Sequence, residues 1–363
     1  MTNPLIFSDS APAYFRGETN LTDWYSIMDW DPEYSELARH SYDIATYDDN
    51  SGVWNSILSN YGQEILVARY QSPGYFNDPG FLIVDHPSLT MHKKKSHFAL
   101  WASFSAPLSI SAYIPGLSAE EVAYLTKEDI LAVDQDTLGL QVTLVSQDGT
   151  WGVLSKSLSN GDRLLTMLNR GSSTASCKVP FIRLGMTGPK ALAYTVKNLW
   201  SGASSLVYGE IDAVNVPSHG TAIYRISSSE GTFGHVTPTG MVFNIATLNC
   251  PTAGVAGDVT WAACEGQDGQ VWQVEKDDSL SPLSHPIERL SSRGNGTVAL
   301  SPSHPGSKGQ QWTYAITGNV QNSESSYCLT DDGTGSVTAT PCENESDSQV
   351  FESPSGSLRK SWP

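Results

Sequence analysis

The sequence contains no apolar run approaching the roughly 20 residues that a membrane-spanning helix needs, so no such helix is expected. Basic residues are scarce: 21 Lys and Arg stand against 38 Asp and Glu, giving a net charge of −17 and a pI near 4.7. A surface of that sign repels nucleic acid and anionic lipid, and neither is expected as a partner. None of the eight histidines falls into a ligand-spaced cluster and no Cys-x-x-Cys occurs, so no metal centre is expected. Glycine-rich loops of the kind that cradle dinucleotides or phosphates are also missing, and no cofactor is expected. Met1-Thr2-Asn3-Pro4 leads straight into an apolar strand pattern without a basic head or cleavage site, so no signal peptide is read here. If the protein is secreted, its natural N-terminus is expected upstream of Met1.

What is present is ordered. The five cysteines include two pairs of identical spacing, Cys250 with Cys264 and Cys328 with Cys342, which predicts two disulfides and an oxidising compartment. Cys177 is left over and is read as a buried free thiol, the alternative being a cysteine that has lost its partner. Asn-x-Ser/Thr sequons at Asn20, Asn295 and Asn344 point to the same compartment. At 363 residues the chain is too long for one ordinary domain and predicts two or three.

From residue 4 to about 135, short apolar runs ending in polar residues alternate with amphipathic stretches, the β-then-α pattern of a parallel sheet. Leu5-Ile6-Phe7 ends in Ser8-Asp9-Ser10, the spacing around Trp54, Ile57 and Leu58 is helical, and Phe81 to Val84 is a short run behind Asn77-Asp78-Pro79. Leu89 to Ala106, with Phe98, Trp101, Ala102 and Ser105 on one face, predicts a long helix, and Pro107 to Ser111 a further strand. The run Lys93-Lys94-Lys95 reads as a solvated outer face of that helix. Asp48 and Asp49 read as loop carboxylates or helix-start caps.

From about 140 to 228 the texture changes to short alternating strands separated by turn signals at Asn160-Gly161-Asp162 and Ser201-Gly202, which predicts an antiparallel β domain. Ser227 to Gly240 is rich in Ser, Thr, Gly and Pro and reads as a linker. Beyond it, Gln270-Val271-Trp272, Gln310-Gln311-Trp312 and Gln349-Val350-Phe351 recur at a near-constant step. This triple resembles the ricin-type β-trefoil lectin domain, in which each Gln-x-Trp closes one lobe of a pseudo-threefold barrel. The resemblance implies carbohydrate binding, with Trp272 and Trp312 as core residues rather than sugar contacts. The middle lobe lacks cysteines and the third carries Phe for Trp, so not every lobe is expected to bind.

The N-terminal region bears a second resemblance. Ser8-Asp9-Ser10-Ala11-Pro12-Ala13-Tyr14, Arg39-x-x-x-Asp43, Phe76-Asn77-Asp78-Pro79, Ala99-Leu100-Trp101-Ala102 with Ala106-Pro107-Leu108, and the stretch Asp129 to Gly139 resemble the melibiase family of glycoside hydrolases, family 27. Fungal members commonly append a ricin-like lectin domain. The resemblance implies a (β/α)₈ TIM barrel followed by an antiparallel β-sandwich, with chemistry at the carboxyl ends of the barrel strands. The implied partition is 1–138 for the C-terminal half of the barrel (strands 5 to 8), 139–228 for the β-sandwich, 229–240 for the linker and 241–355 for the β-trefoil. Mapped by residue, Asp43 falls at the general acid/base and Arg39 at a sugar-binding arginine. Ser10, Ala13 and Tyr14 fall where the sugar 2-position is read, and Asp78 falls beside the site.

The implied activity is retaining hydrolysis of terminal α-D-galactose from oligosaccharides and galactomannan-type polysaccharides by a secreted enzyme. Retention needs two carboxyls roughly 5 to 5.5 Å apart. The family nucleophile lies in a Lys-Tyr-Asp-like motif before the Ser8 region, and no such tripeptide occurs here. A barrel of this type takes about 250 residues. The expectation is therefore an incomplete chain, inactive alone, whose nucleophile is encoded upstream. Two alternatives stay open: an α-N-acetylgalactosaminidase, since Ser10 and Ala13 leave room for an acetamide, and a carbohydrate-binding protein with an inert barrel remnant.

Overall fold

The computed structural model describes residues 5–16, 21–44, 52–188, 192–228 and 236–354. Asn20, Asp48 and Asp49 lie outside the described residues.

Strands β1 (Ser8–Asp9), β2 (Leu37–Arg39) and β3 (Phe76–Asp78) form a parallel sheet in that order, with Ser8 opposite Leu37 and Arg39 opposite Asp78. Parallel neighbours need crossover connections, and helices supply them. Between β1 and β2 run α1 (Ala11–Phe15) and α2 (Thr22–Trp30); α3 (Val53–Glu64) joins β2 to β3, and α4 (Met91–Phe104) follows β3. The expected strands over Phe81–Val84 and Pro107–Ser111 shrink to one parallel bridge between Leu82 and Ile110. Leu82 donates its N–H to Ser109 and accepts from that of Ser111. Extension is checked on one side by the Asp78-Pro79-Gly80 turn, where Gly80 sits at φ +97°. On the other, Pro107 lacks an N–H for the ladder.

Helix α4 starts at Thr90, whose hydroxyl accepts the Lys93 N–H, and ends at Ser105 in the left-handed region. It is not the one-faced helix its spacing suggests, for every residue from Ser96 to Phe104 is buried. The basic run is corrected with it. Lys94 is buried and pairs with Glu121 at 2.5 Å, Lys95 pairs with Glu120 at 2.9 Å, and Lys93 lies over the Trp54 ring. Glu120 and Glu121 belong to α5 (Ala119–Leu125), held by a reciprocal capping box between Ser118 and Glu121, and α6 (Glu128–Asp134) packs on α4.

The second domain explains why α4 has no wet face. Strands β4 (Thr143–Gln147), β5 (Trp151–Ser157), β6 (Arg163–Asn169), β8 (Ala193–Asn198), β9 (Ser204–Tyr208) and β11 (Thr221–Ser228) form one antiparallel sheet in the order β4-β5-β6-β11-β8-β9. The pair β7 (Ala175–Pro180) and β10 (Glu210–Val216) makes a separate antiparallel ladder. Leu165 and Met167 of β6 face the core of the sandwich, whereas Leu164 and Leu168 join the core around α4. A strand buried on both faces loses its alternation, which is why β6 reads as a continuous apolar run. Cys177 on β7 is a free thiol and half-buried rather than sealed; burial pushes its pKa up to about 11.

The third domain opens with β12 (Thr239–Met241), which pairs with the strand Val271–Val274, so the end of the expected linker is already in a ladder. Cys250–Cys264 and Cys328–Cys342 are disulfides. Each repeat glutamine closes its lobe with both ends of its amide. Gln270 accepts from the Glu265 N–H and donates to the Ala263 carbonyl; Gln310 does the same with His304 and Pro302, and Gln349 with Glu343 and Pro341. Trp272, Trp312 and Phe351 are buried at the centre. The two indoles donate to the carbonyls of Pro251 and Leu290. Phe351 has no donor, and the Trp261 indole, stacked on it at 5.5 Å, donates to Thr330 O instead. Asn295 and Asn344 are both exposed.

This trefoil is docked on the barrel segment. Arg69, just beyond α3, is 2% exposed and donates to Ile316 O and to the carboxylate of Glu352, itself 2% exposed.

Candidate active site

The carboxyl ends of parallel strands are where side chains from separate crossovers meet, and here they meet around Arg39. It is the last residue of β2, and its Nη2 donates to Asp43 Oδ1 at 2.7 Å. The four-residue spacing is not a helix-surface pair, since Arg39 ends a strand and Asp43 lies in the loop after it. The exposures differ sharply: the Arg39 side chain is 14% accessible and that of Asp43 85%. A largely covered cation thus orients an exposed carboxylate.

Ser10 follows β1 directly, and α1, entered through Pro12, carries Ala13 and Tyr14 to the same place. Ser10, Ala13, Tyr14, Arg39 and Asp43 line one open cleft of about 300 Å³. Tyr14 is 80% exposed, so its ring stands at the rim. Ser41 and Tyr42 complete the lining and escaped the sequence reading, although they lie inside the Arg39 to Asp43 motif. Asp43 is the one carboxylate among these lining residues.

Asp78 is not among the residues that line this cleft. Its carboxylate accepts the Gly80 N–H at 2.8 Å, ending β3 in an Asx turn. Burial pushes its pKa up, against the Gly80 hydrogen bond and the nearby Arg39 and His40.

Beneath the two loops, α3 presents a pair of polar residues one turn apart on its buried face. Asn60 Nδ2 donates both to Tyr42 O at 2.8 Å and to Pro79 O at 2.7 Å. One amide thereby ties the Asp43 loop to the Asp78 turn. Glu64, fully buried, hydrogen-bonds His40 Nε2; burial raises its pKa, while His40 opposes the rise. Asn60, His40 and Glu64 were missed because single polar residues in a helical or strand pattern read as surface. The signal available was that Asn60 and Glu64 share the face of apolar Val53, Ile57 and Tyr61.

Residues 15–136 match the family described as Alpha galactosidase A, residues 148–226 the Alpha galactosidase C-terminal beta sandwich domain, and residues 239–351 the Ricin-type beta-trefoil lectin domain. The chain is 49% identical to Alpha-galactosidase A of Aspergillus niger over 356 residues, which is 98% of this chain and 64% of that relative. It is 29% identical over 206 residues to an Alpha-galactosidase of Oryza sativa subsp. japonica, covering 56% of this chain and 49% of that one. Among solved structures, α-galactosidase I from Mortierella vinacea aligns with a TM-score of 0.52 at 18% identity, over 57% of this chain and 56% of its own. A family 27 β-L-arabinopyranosidase from Geobacillus stearothermophilus aligns with a TM-score of 0.53 at 18% identity, over 64% and 52%. These two likenesses are of fold. The chain spans just under two thirds of the length of the Aspergillus niger relative. Residues 15–136 and 148–226 thus carry two melibiase-type domains, and residues 239–351 a ricin-type β-trefoil lectin domain.

Proposed function

We propose that this chain carries the acid/base half of a retaining α-galactosidase, with Asp43 as the proton donor. One observation carries the reading: Ser10, Ala13, Tyr14, Arg39 and Asp43, spread over two strand ends and a helix, line a single cleft. The A. niger relative at 49% identity, named an α-galactosidase, supports the same chemistry. Asp43 protonates the leaving oxygen as the anomeric C–O bond breaks and then takes a proton from the attacking water. Arg39 holds the carboxylate and, with Ser10, meets sugar hydroxyls. Galactose is the first substrate. Ser10 and the small Ala13 at one wall support α-N-acetylgalactosaminide as the second, and paired aryl glycosides of the two sugars rank them.

A retaining reaction also needs an attacking carboxyl roughly 5 to 5.5 Å from the acid. With Asp43 as the one carboxylate lining the cleft among the described residues, the chain by itself is expected to bind galactosides without turning them over. Sodium azide tests the acid separately from the nucleophile. On phenyl α-galactoside, whose basic leaving oxygen needs a proton, azide attacks the anomeric carbon from the face opposite Asp43, phenol leaves with the Asp43 proton, and β-galactosyl azide accumulates. Asp43→Asn should abolish that product. Azide product formed equally well by Asp43→Asn would overturn the assignment, and so would azide-independent turnover of the unmodified chain that survives Asp43→Asn.

The trefoil is proposed to hold the protein on carbohydrate, and the protein to work outside the cell. Two disulfides and exposed sequons at Asn295 and Asn344 support that placement.

A further inference from the structure

A second cleft, not lined by Asp43, lies where the three domains meet. It encloses about 580 Å³ between α3, the β4 and β6 ends of the sandwich, and the first lobe of the trefoil. Ligand pockets concentrate at such junctions and span roughly 300 to 1,000 Å³. Its charge runs against the rest of the molecule. In a chain of net charge −17, no carboxylate lines this cleft, while two guanidiniums, Arg16 and Arg170, do.

Neither cation makes a direct ion pair among the described residues, although Asp347 lies close enough to act on Arg16. Arg16 donates through Nε to the neutral Gln63 amide, and Arg170 through Nη1 to the Asp148 carbonyl. Burial draws the Arg16 pKa down, against Tyr25, Tyr42 and Asp347, the mark of a guanidinium with less water than it needs. The polar groups around them are also short of partners. Tyr61 Oη, fully buried and within the influence of Arg170, has no hydrogen bond among the described residues, and neither has the buried Gln147 Oε1. Leu58, Leu66 and Phe243 supply apolar wall, while Thr247 and Asn249, which also line the cleft, both donate to the carboxylate of Asp331.

Apolar patches for ring C–H faces, an unpartnered hydroxyl and amide oxygen at Tyr61 and Gln147 for sugar hydroxyls, and two cations lining the same cleft for an anionic substituent describe a single ligand chemistry. We propose that this junction cleft is a binding site for a carboxylated sugar, a hexuronic acid unit held by Arg16 and Arg170. The site is independent of Asp43, and its occupancy would bridge all three domains.

Isothermal titration of the full chain with D-galacturonate, alongside neutral D-galactose, tests this. Saturable galacturonate binding is expected, at least about tenfold tighter than any galactose binding that competes with it. Arg170→Gln and Arg16→Gln should each weaken it about tenfold or more, while Asp43→Asn leaves it unchanged. Circular dichroism identifies any variant that fails to fold, and the other arginine variant then decides. No galacturonate heat from folded protein, equal affinity for galactose, or full affinity in a folded arginine variant would each overturn the proposal.

Discussion

Asn60 governs the cleft without touching it. Its amide is the shared donor for Tyr42 O and Pro79 O, so the loop bearing Asp43 and the turn bearing Asp78 keep their spacing through one side chain. Asn60→Ala leaves both carbonyls without that donor, and an orphaned buried acceptor costs about 1–3 kcal/mol. A lower urea midpoint should follow, together with slower azide-dependent turnover at saturating galactoside, since the acid rather than the binding wall is displaced. An unchanged saturated rate would remove Asn60 from this role. The contrast with Arg39 and Asp43 shows what was readable at this scale. A motif with charged residues at fixed spacing announces itself, and the structure brings Ser10, Ala13, Tyr14, Arg39 and Asp43 together. Asn60, His40 and Glu64 act from inside, where their meaning depends on which carbonyls and rings the fold delivers to them, and one sequence does not say.

Among elements, α4 shows how periodicity can give the right helix and the wrong surroundings. Its bounds follow from Thr90 and Ser105, but β6 and β11 pack on it, and its lysines, which made it look solvated, meet α5 and the Trp54 ring. His97 is trapped there, edge-on to Trp101 at 4.3 Å, with no hydrogen-bond partner for either ring nitrogen among the described residues. Burial pushes its pKa down to about 3, from the ordinary 6.5. The folded-state value is depressed, so the neutral ring favours the fold fully above pH 6.5, and that advantage drains away as pH falls from 6.5 towards 3. At pH 5 the loss is about 2 kcal/mol relative to pH 7. His97→Phe keeps an aromatic edge against Trp101 and should flatten this part of the stability profile, measured by urea unfolding at pH 7 and pH 5. The trefoil was legible because its repeat is written three times, yet the third Phe looked like a simple loss. Structurally it is an exchange, with Trp261 donating to Thr330 O where Phe351 has no N–H. Trp261→Phe should therefore cost about 1–3 kcal/mol through the orphaned carbonyl, beyond the lost stacking area, and thermal unfolding would register it. Trp261→Phe melting with the parent would refute the exchange.

For the whole molecule, the decisive contact is Arg69 with Glu352 at 3.2 Å, between two side chains each 2% exposed. Removing one partner of a buried pair leaves the other charge uncompensated, at about 3–5 kcal/mol. Glu352→Gln should split a single calorimetric transition into separate barrel-side and trefoil transitions, or lower the joint one markedly; an unaltered trace would show that the pair does not couple the domains. The composition after Ser227 suggested a tether, and nothing local could correct that, because Ile316 and Glu352 lie 247 and 283 residues from Arg69 along the chain. The docking changes what a sugar-binding appendage would do. A module on a flexible leash raises local substrate concentration in every direction and leaves the choice of bond to diffusion. Fixed through Arg69, a sugar-binding trefoil would act as a jig: a polymer seated on it would meet the Arg39 end of the sheet at one offset and one angle. Branch spacing along that polymer would then become a selection rule, satisfied by some substrates and missed by others of identical chemistry.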